Sequence, residues 1–388
     1  MKVENNIIDV IIFIQSMSKM GGTEIVALNL CNALNDVGVS TQILSVDQYC
    51  GLNKNVITIN NIDAAKYGLR PLGVYDKFIS SHRHNNAFKH YLSDFCERYK
   101  VRVLINFTYE NLAILPFKCG IHTIGVYHWS VIGYENSLLS IVDNKTLPKK
   151  LISKIYLKKT YHKLHKLIGK TDKTIALTHC GANELKLLAP KSNIEVIPNF
   201  LPYTNLSNTI STGKNRRAVY VGRLSKEKGV YRLLEIWDRV ARQLSDVELF
   251  VYGDGDERPQ MEQIIKDRNI QRIYLEGFET DAEKIYSCAD LLLCTSETEG
   301  FGMVLIEAMH FGVVPVAFDC PVSPKELIDD AGVVINCFDA ETFSKKVVQL
   351  FTDNIHWQKL QAQGLDRVKE FYKPNVIKKW LAILKKNM

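Results

Sequence analysis

Glu299 and Glu307, with seven residues between them, flank a Gly300-Phe301-Gly302 turn that opens into the apolar run Met303-Val304-Leu305-Ile306. The two glycines let a backbone approach a ligand closely, and a helix beginning near Met303 would point its free N–H groups at an anion. This spacing puts Glu299 ahead of that helix and Glu307 one turn inside it. Carboxylates accept from paired donors, so one suits the hydroxyls of a sugar and the other those of a ribose. The chemistry that fits is the binding of a sugar nucleotide. A pair of solvated surface charges is the plain alternative, and the glycine turn between them argues against it.

Cations stand at the end of another apolar run, in Val221-Gly222-Arg223-Leu224-Ser225-Lys226-Glu227-Lys228-Gly229. Arg223 offers a bidentate fork and Lys228 a point charge, a pairing suited to a diphosphate. Gly253-Asp254-Gly255-Asp256 also follows an apolar run but lacks the dinucleotide fingerprint, so it reads as a tight turn rather than a dehydrogenase loop.

These groups need a scaffold that ends strands in loops. Short β-rich runs at 9–15, 41–46, 102–107, 121–126, 173–177 and 194–197 alternate with helical patterns, the first helix reading Ile25, Leu28, Leu30 and Leu34 and stopping near Gly38. A second series lies at 217–221, 247–252, 272–276, 290–294 and 313–317, after a polar stretch at 203–215 that serves as linker. A chain of 388 residues exceeds what one core accommodates. The pattern predicts an α/β protein with two doubly wound parallel-sheet domains, residues 1–200 and 201–372, facing each other across a cleft.

Composition narrows the class. Hydrophobic residues at 46% and charged residues at 23% describe an ordinary globular protein. Nine cysteines without a Cys-x-x-Cys pair or zinc spacing argue against a disulfide framework and a structural metal. No apolar run reaches the roughly 20 residues of a membrane span, and no cleavage-like site follows the N-terminus, so the expected location is the cytoplasm. Residues 1–200 carry 24 Lys and Arg against 15 Asp and Glu. The densest basic segment runs from Lys145 through Lys149, Lys150, Lys154, Lys158, Lys159, Lys163 and Lys166 to Lys170, with apolar residues at helical spacing. Such a helix suits peripheral contact with an anionic membrane at the inner face of the plasma membrane, or an apolar stripe packed on the core with its lysines in water. Nucleic acid is disfavoured, since no reading motif accompanies the charge.

The chain resembles retaining glycosyltransferases of family 4, also called group 1 glycosyl transferases, which have the GT-B fold. The match rests on Gly21-Gly22-Thr23-Glu24, on Val221-Gly222-Arg223 with Lys228, on Val251 to Gly255 followed by Leu275-Glu276-Gly277-Phe278, and on Glu299 to Glu307, in the family's order. The resemblance implies two Rossmann-like domains with a C-terminal helix, 373–388, returning to the first. It implies that Arg223 and Lys228 bind the donor diphosphate, that Glu299 holds the transferred sugar with the amides of Gly300, Phe301 and Gly302, and that the Met303 and Val304 amides cap phosphate oxygens. Glu307 would hold the ribose, the base would lie near Gly277 and Phe278, and Gly22 would close the donor site from the first domain. His128, in Val126-Tyr127-His128-Trp129, matches the family's first-domain histidine near the sugar; the other reading is a partly buried structural histidine.

No metal or other cofactor is expected, the nucleotide sugar being a substrate. The implied reaction moves a hexose or N-acetylhexosamine from a nucleotide sugar to a glycan acceptor, lipid-linked at the membrane face, in bacterial-type surface polysaccharide, capsule or lipopolysaccharide synthesis. Phe318-Asp319-Cys320-Pro321-Val322-Ser323-Pro324-Lys325-Glu326 departs from the glycine-rich turn of many relatives and leans toward a UDP-sugar donor. An epimerase or hydrolase acting on a sugar nucleotide, or a silent GT-B binding module, are the alternatives.

Overall fold

The computed structural model describes residues 7–14, 21–45, 55–58, 82–107, 120–128, 168–336 and 338–386, with 17, 130, 133, 158, 161, 162, 164 and 165 between them. Most of the basic segment from Lys145 to Lys170 lies outside the described residues, as does Trp129.

Two all-parallel sheets organise the chain. The first comprises β1 (Val10–Ile14), β2 (Thr41–Ser45), β3 (Val56–Thr58), β4 (Val103–Asn106), β5 (His122–Tyr127), β6 (Lys173–Ala176) and β7 (Ile194–Val196), in the order β3-β2-β1-β4-β5-β6-β7. The second comprises β8 (Arg217–Val221), β9 (Glu248–Tyr252), β10 (Ile273–Gly277), β11 (Leu291–Cys294), β12 (Val314–Phe318) and β13 (Val333–Ile335), in the order β10-β9-β8-β11-β12-β13. Every residue of β1, β11 and β12 is buried. That is the signature of strands covered by helices on both faces, and it is why they read as continuous apolar runs. The edge strands β3 and β13, three residues each, were not legible in the pattern.

The helices α1 (Gly22–Asp36), α2 (His82–Arg98), α3 (His179–Leu188), α4 (Val230–Gln243), α5 (Arg258–Asp267), α6 (Ala282–Tyr286), α7 (Met303–His310), α8 (Pro324–Ile328), α9 (Ala340–Thr352), α10 (Asn354–Arg367) and α11 (Lys373–Leu384), with 3-10 turns at Lys226–Lys228 and Val368–Phe371, complete the described elements. In α4 the residues Val230, Leu233, Leu234, Ile236, Trp237, Val240 and Ala241 are buried, a broad apolar face at helical spacing. Trp237 is fully buried, with its indole N–H donated to the Gln271 carbonyl at 3.0 Å. The polar tip of this large apolar side chain is thereby satisfied.

In each sheet the chain leaves one strand toward one edge and returns on that strand's other side. In the second sheet this reversal falls between β8 and β11, so the carboxyl ends of those two strands diverge and leave a crevice. The chain passes between the sheets at two adjacent places, where Leu201 forms a bridge with Tyr372. Beyond the second crossing, α11 rests against α1, and Lys373 Nζ meets Asp36 Oδ2 at 2.6 Å. Between His356 and the crossing the chain stays with the second sheet, where α10 packs on α7.

Gly229 is a tight point of the second domain's crevice. It has φ of 68°, and a Cβ built there would lie 1.9 Å from the Thr295 carbonyl oxygen. Gly229→Ala is expected to lower stability by about 1–3 kcal/mol through backbone strain and forced separation of the two loops, read as a lower urea midpoint at unchanged slope.

Candidate active site

The loops after β8 and β11 are fastened to each other by one backbone bond and one hydroxyl. The Glu297 N–H donates to the Glu227 carbonyl at 2.8 Å, and Thr295 Oγ1 donates to the Lys228 carbonyl at 3.1 Å. Gly229 lets the two backbones come this close. Across this seam Lys228 Nζ reaches Glu299 Oε1 at 2.6 Å, and Ser296 Oγ donates to the same oxygen at 2.7 Å. Burial works to lower the Lys228 pKa, but the charge and hydrogen bond of Glu299 prevail and hold it above the usual lysine value. The side chain therefore stays cationic at neutral pH.

The loop after β8 is itself propped by the loop after β9. The Leu224 N–H donates to the Asp254 carbonyl at 3.0 Å, and the Gly222 N–H to the Tyr252 carbonyl at 3.0 Å. A Cβ on Gly253 would stand 1.9 Å from the Gly222 carbonyl oxygen. The Gly253-Asp254-Gly255 segment is thus a spacer that lets two strand-end loops lie together. Arg223 projects from the propped loop with its side chain 72% exposed, and its nearest acidic partner, Glu227, is 4.0 Å away. Its fork is available to an anion.

Glu299 leads through Gly300 and the buried Phe301 to Gly302, the N-cap of α7, with φ of 89°. As a glycine, Gly302 brings no side chain to cap this helix. Leu305 N–H bonds the Gly302 carbonyl, and no acceptor among the described residues takes the Met303 and Val304 N–H groups ahead of it. Free amides at the positive end of a helix form a site for phosphate oxygens. Glu307, one turn on, accepts from Tyr286 Oη at 3.2 Å. Burial raises its pKa, opposed by that hydrogen bond. At the end of β10, Gly277 has φ of 83°, and Phe278 beside it is 71% exposed.

The first domain contributes less polar geometry. His128 follows β5 and lies against Phe107, which follows β4, with ring centroids 4.6 Å apart. Its Nε2 is buried and has no partner among the described residues, and burial pushes its pKa down to about 4. The ring is neutral at pH 7. Gly22 opens α1 on an exposed surface, and a Cβ there would meet nothing within 4 Å. Gly21 N–H donates to Glu24 Oε2 at 3.0 Å, so the acidic residue of the Gly-Gly-Thr-Glu motif caps its own helix.

Among the sequence-derived residues, the structure brings Lys228 and Glu299 into contact and places Gly300, Phe301, Gly302, Met303, Val304 and Glu307 along the same loop and helix. Arg223, after β8, and Gly277 and Phe278, at the end of β10, lie at strand ends of that sheet with β9 between them, whereas His128 and Gly22 belong to the other. Sequence reading missed Ser296 and Tyr286, the hydroxyls that orient the two glutamates. Ser296 stands three residues ahead of Glu299, and nothing in the pattern marked either hydroxyl. No cluster of three metal-ligating side chains occurs among the described residues.

Two Rossmann-like parallel sheets joined in this way are the GT-B fold. A solved structure of mutant Staphylococcus aureus TarM, in complex with fondaparinux, alpha-GlcNAc-glycerol and UDP, superposes with a TM-score of 0.75 at 15% identity, over 97% of this chain and 99% of that one. More particularly, residues 204–367, which hold Arg223, Lys228, Glu299 and Glu307, match the family model of glycosyl transferases group 1. The amylovoran biosynthesis glycosyltransferase AmsD of Erwinia amylovora is 30% identical over 223 residues, 56% of this chain and 63% of that protein. A poly(ribitol-phosphate) alpha-N-acetylglucosaminyltransferase of Staphylococcus aureus is 26% identical over 55% of this chain and 44% of its own length. The chain thus spans about half the length of these curated relatives.

His128 makes a pH signature. The unfolded histidine binds its proton near pH 6.5 and the folded one only near pH 4, so stability is fully present above pH 6.5 and falls as pH drops through that window. Wild type is expected to lose on the order of 3 kcal/mol more than His128→Asn between pH 7 and pH 4, in urea unfolding at stepped pH.

Proposed function

We propose that the protein is a retaining, family 4 glycosyltransferase that moves a hexose or N-acetylhexosamine from a UDP-sugar to a lipid-linked glycan acceptor in bacterial surface-polysaccharide synthesis. The observation that carries this reading is the Lys228–Glu299 pair at the β8–β11 crevice, set beside the uncapped start of α7. It joins a cation for a diphosphate to a carboxylate for sugar hydroxyls, within reach of amides for phosphate oxygens. The names of the matched relatives, an amylovoran biosynthesis glycosyltransferase and a poly(ribitol-phosphate) alpha-N-acetylglucosaminyltransferase, support the glycan context, and UDP in the TarM complex supports the nucleotide.

Glycosyl transfer develops positive charge on the sugar and negative charge on the departing diphosphate. Arg223, Lys228 and the Met303 and Val304 amides face the second of these charges. Such preorganised donors stabilise the transition state more than the ground state. Glu299 orients the sugar through its hydroxyls and Glu307 holds the ribose. A neutral His128 presents an uncharged ring toward the acceptor side. On the retaining course the leaving phosphate takes the acceptor proton on the face it departs from. These cations stand where a metal would otherwise neutralise the diphosphate, so transfer is expected to survive a chelator.

Thermal unfolding against UDP, GDP, ADP and their sugar conjugates, with chelator present, tests the donor site. UDP and its sugars at about 100 times their dissociation constant should stabilise wild type by about 2.7 kcal/mol, and the Arg223→Ala, Lys228→Ala double variant hardly at all. Stabilisation by none of the nucleotides sinks the donor reading. The proposal includes peripheral contact of the basic segment, Lys145 to Lys170, with an anionic membrane where a lipid-linked acceptor would lie, and flotation with anionic vesicles checks that contact. Binding that disappears when Lys154, Lys158 and Lys159 are neutralised is the expected outcome, and binding indifferent to them removes the basic segment from the proposal.

A further inference from the structure

The departure at Phe318 to Glu326 has a structural role that the donor reading does not use. Glu326, on α8 of the second domain, accepts from the His179 N–H at 2.7 Å through one carboxylate oxygen and from the Cys180 N–H at 3.0 Å through the other. Those amides open α3 of the first domain, whose helix dipole favours a negative charge at this end. Thr178 Oγ1 takes the next amide, that of Gly181, at 3.0 Å. The N-terminus of a first-domain helix is therefore capped partly by its own chain and partly by the opposite domain.

Further along α3, the buried Glu184 accepts from Ser130 Oγ at 3.1 Å. Ser130 Oγ in turn accepts from the Gly133 N–H at 2.8 Å. Gly133 is pressed against the second domain, for a Cβ built on it would lie 2.0 Å from Thr298 Oγ1. On the other side, Ser323 Oγ, just ahead of α8, donates to the Phe301 carbonyl. The contacts close on themselves, running from Phe301 through Ser323 and α8 to Glu326, across to α3, along it to Glu184, and through Ser130 and Gly133 back to Thr298. The segment bounded by Thr298 and Phe301 is the one that carries Glu299.

We propose that Glu326, Glu184 and Ser130 are positioning residues that hold the Glu299 loop in working shape by way of the first domain. Two links of this ring cross between domains, Glu326 to α3 and Gly133 to Thr298, so separating the domains removes the loop's support on both sides at once. Backbone strain is consistent with a segment held from outside. Val322 has φ of 86° and Asp329 φ of 49°, flanking α8, and residues in such conformations persist only where their surroundings over-determine them. Val322 also meets the first domain, its Cγ1 standing 3.4 Å from the Cβ position of Gly181. The role of Glu299 toward sugar rests on the proposed function; the dependence of its loop on the ring does not.

Hydrogen exchange on the full chain without ligand separates the two. The peptide spanning 295–305 includes the hydrogen-bonded Glu297 and Leu305 amides. In Glu326→Ala, and independently in Gly133→Ala, it should exchange at least tenfold faster, with β8 and α4 unchanged. Glu326→Gln keeps one carbonyl acceptor and should fall between. Faster exchange confined to 179–180, or spread over the whole chain, overturns the proposal. In a second arm, UDP affinity should stay within about threefold of wild type while the ratio of sugar transfer to donor hydrolysis falls tenfold in Glu326→Ala. An unchanged ratio also overturns it, whereas a wild type that binds no nucleotide refutes the donor reading and leaves the exchange result to judge the ring.

Discussion

The ion pair of Lys228 with Glu299 is the contact that sets the geometry of the β8–β11 crevice. The two side chains come from loops on either side of the β8–β11 reversal, and at 2.6 Å each fixes where the other can point. Both are largely removed from water, with side chains 26% and 10% exposed. Charges so placed cost desolvation energy that their attraction and further hydrogen bonds must offset, and removing one strands the other. Ser296 supplies the additional bond on the carboxylate, and the backbone seam between Thr295, Glu297 and the Lys228 loop holds the geometry. The pair is the product of a backbone arrangement that permits only glycine at 229.

Burial sets the remaining electrostatics. Burial works in one direction on both, keeping His128 neutral and drawing Glu307 toward protonation. Arg223, by contrast, stands in water with its charge unspent. The site therefore grades from an exposed cation through a half-buried ion pair to a carboxylate tuned by Tyr286. A polyanion meeting such a gradient would be captured at its outer charge and desolvated as it moved inward.

Much of this was legible in the chain because parallel sheets write themselves plainly. Strands buried on both faces become apolar runs, and β8 was found at 217–221 as read. Glycines at strand ends marked the loops, and the order of charged residues placed Lys228 and Glu299 in one region. What failed to show was contact between residues far apart in sequence. Tyr286 on Glu307 and Glu326 on α3 lie 21 and 147 residues from their partners, and no local periodicity encodes such pairings. The Gly253-Asp254-Gly255 segment was seen as a turn, while its work as a spacer for the Gly222 loop needs two strands in register. The three-residue edge strands β3 and β13 went unread, although β7, equally short, was read at 194–197.

The bridge between Leu201 and Tyr372 has a consequence for how such a chain can change over time. Everything from β8 to α10 leaves and re-enters the rest of the molecule at two neighbouring residues, as an inserted body does. A segment whose ends already touch can be cut out and replaced by a counterpart of different specificity without lengthening any connection. Recombination at those two points would exchange one half of the molecule as a unit, leaving the start of α3 and the Gly133 surface as what every newcomer must fit.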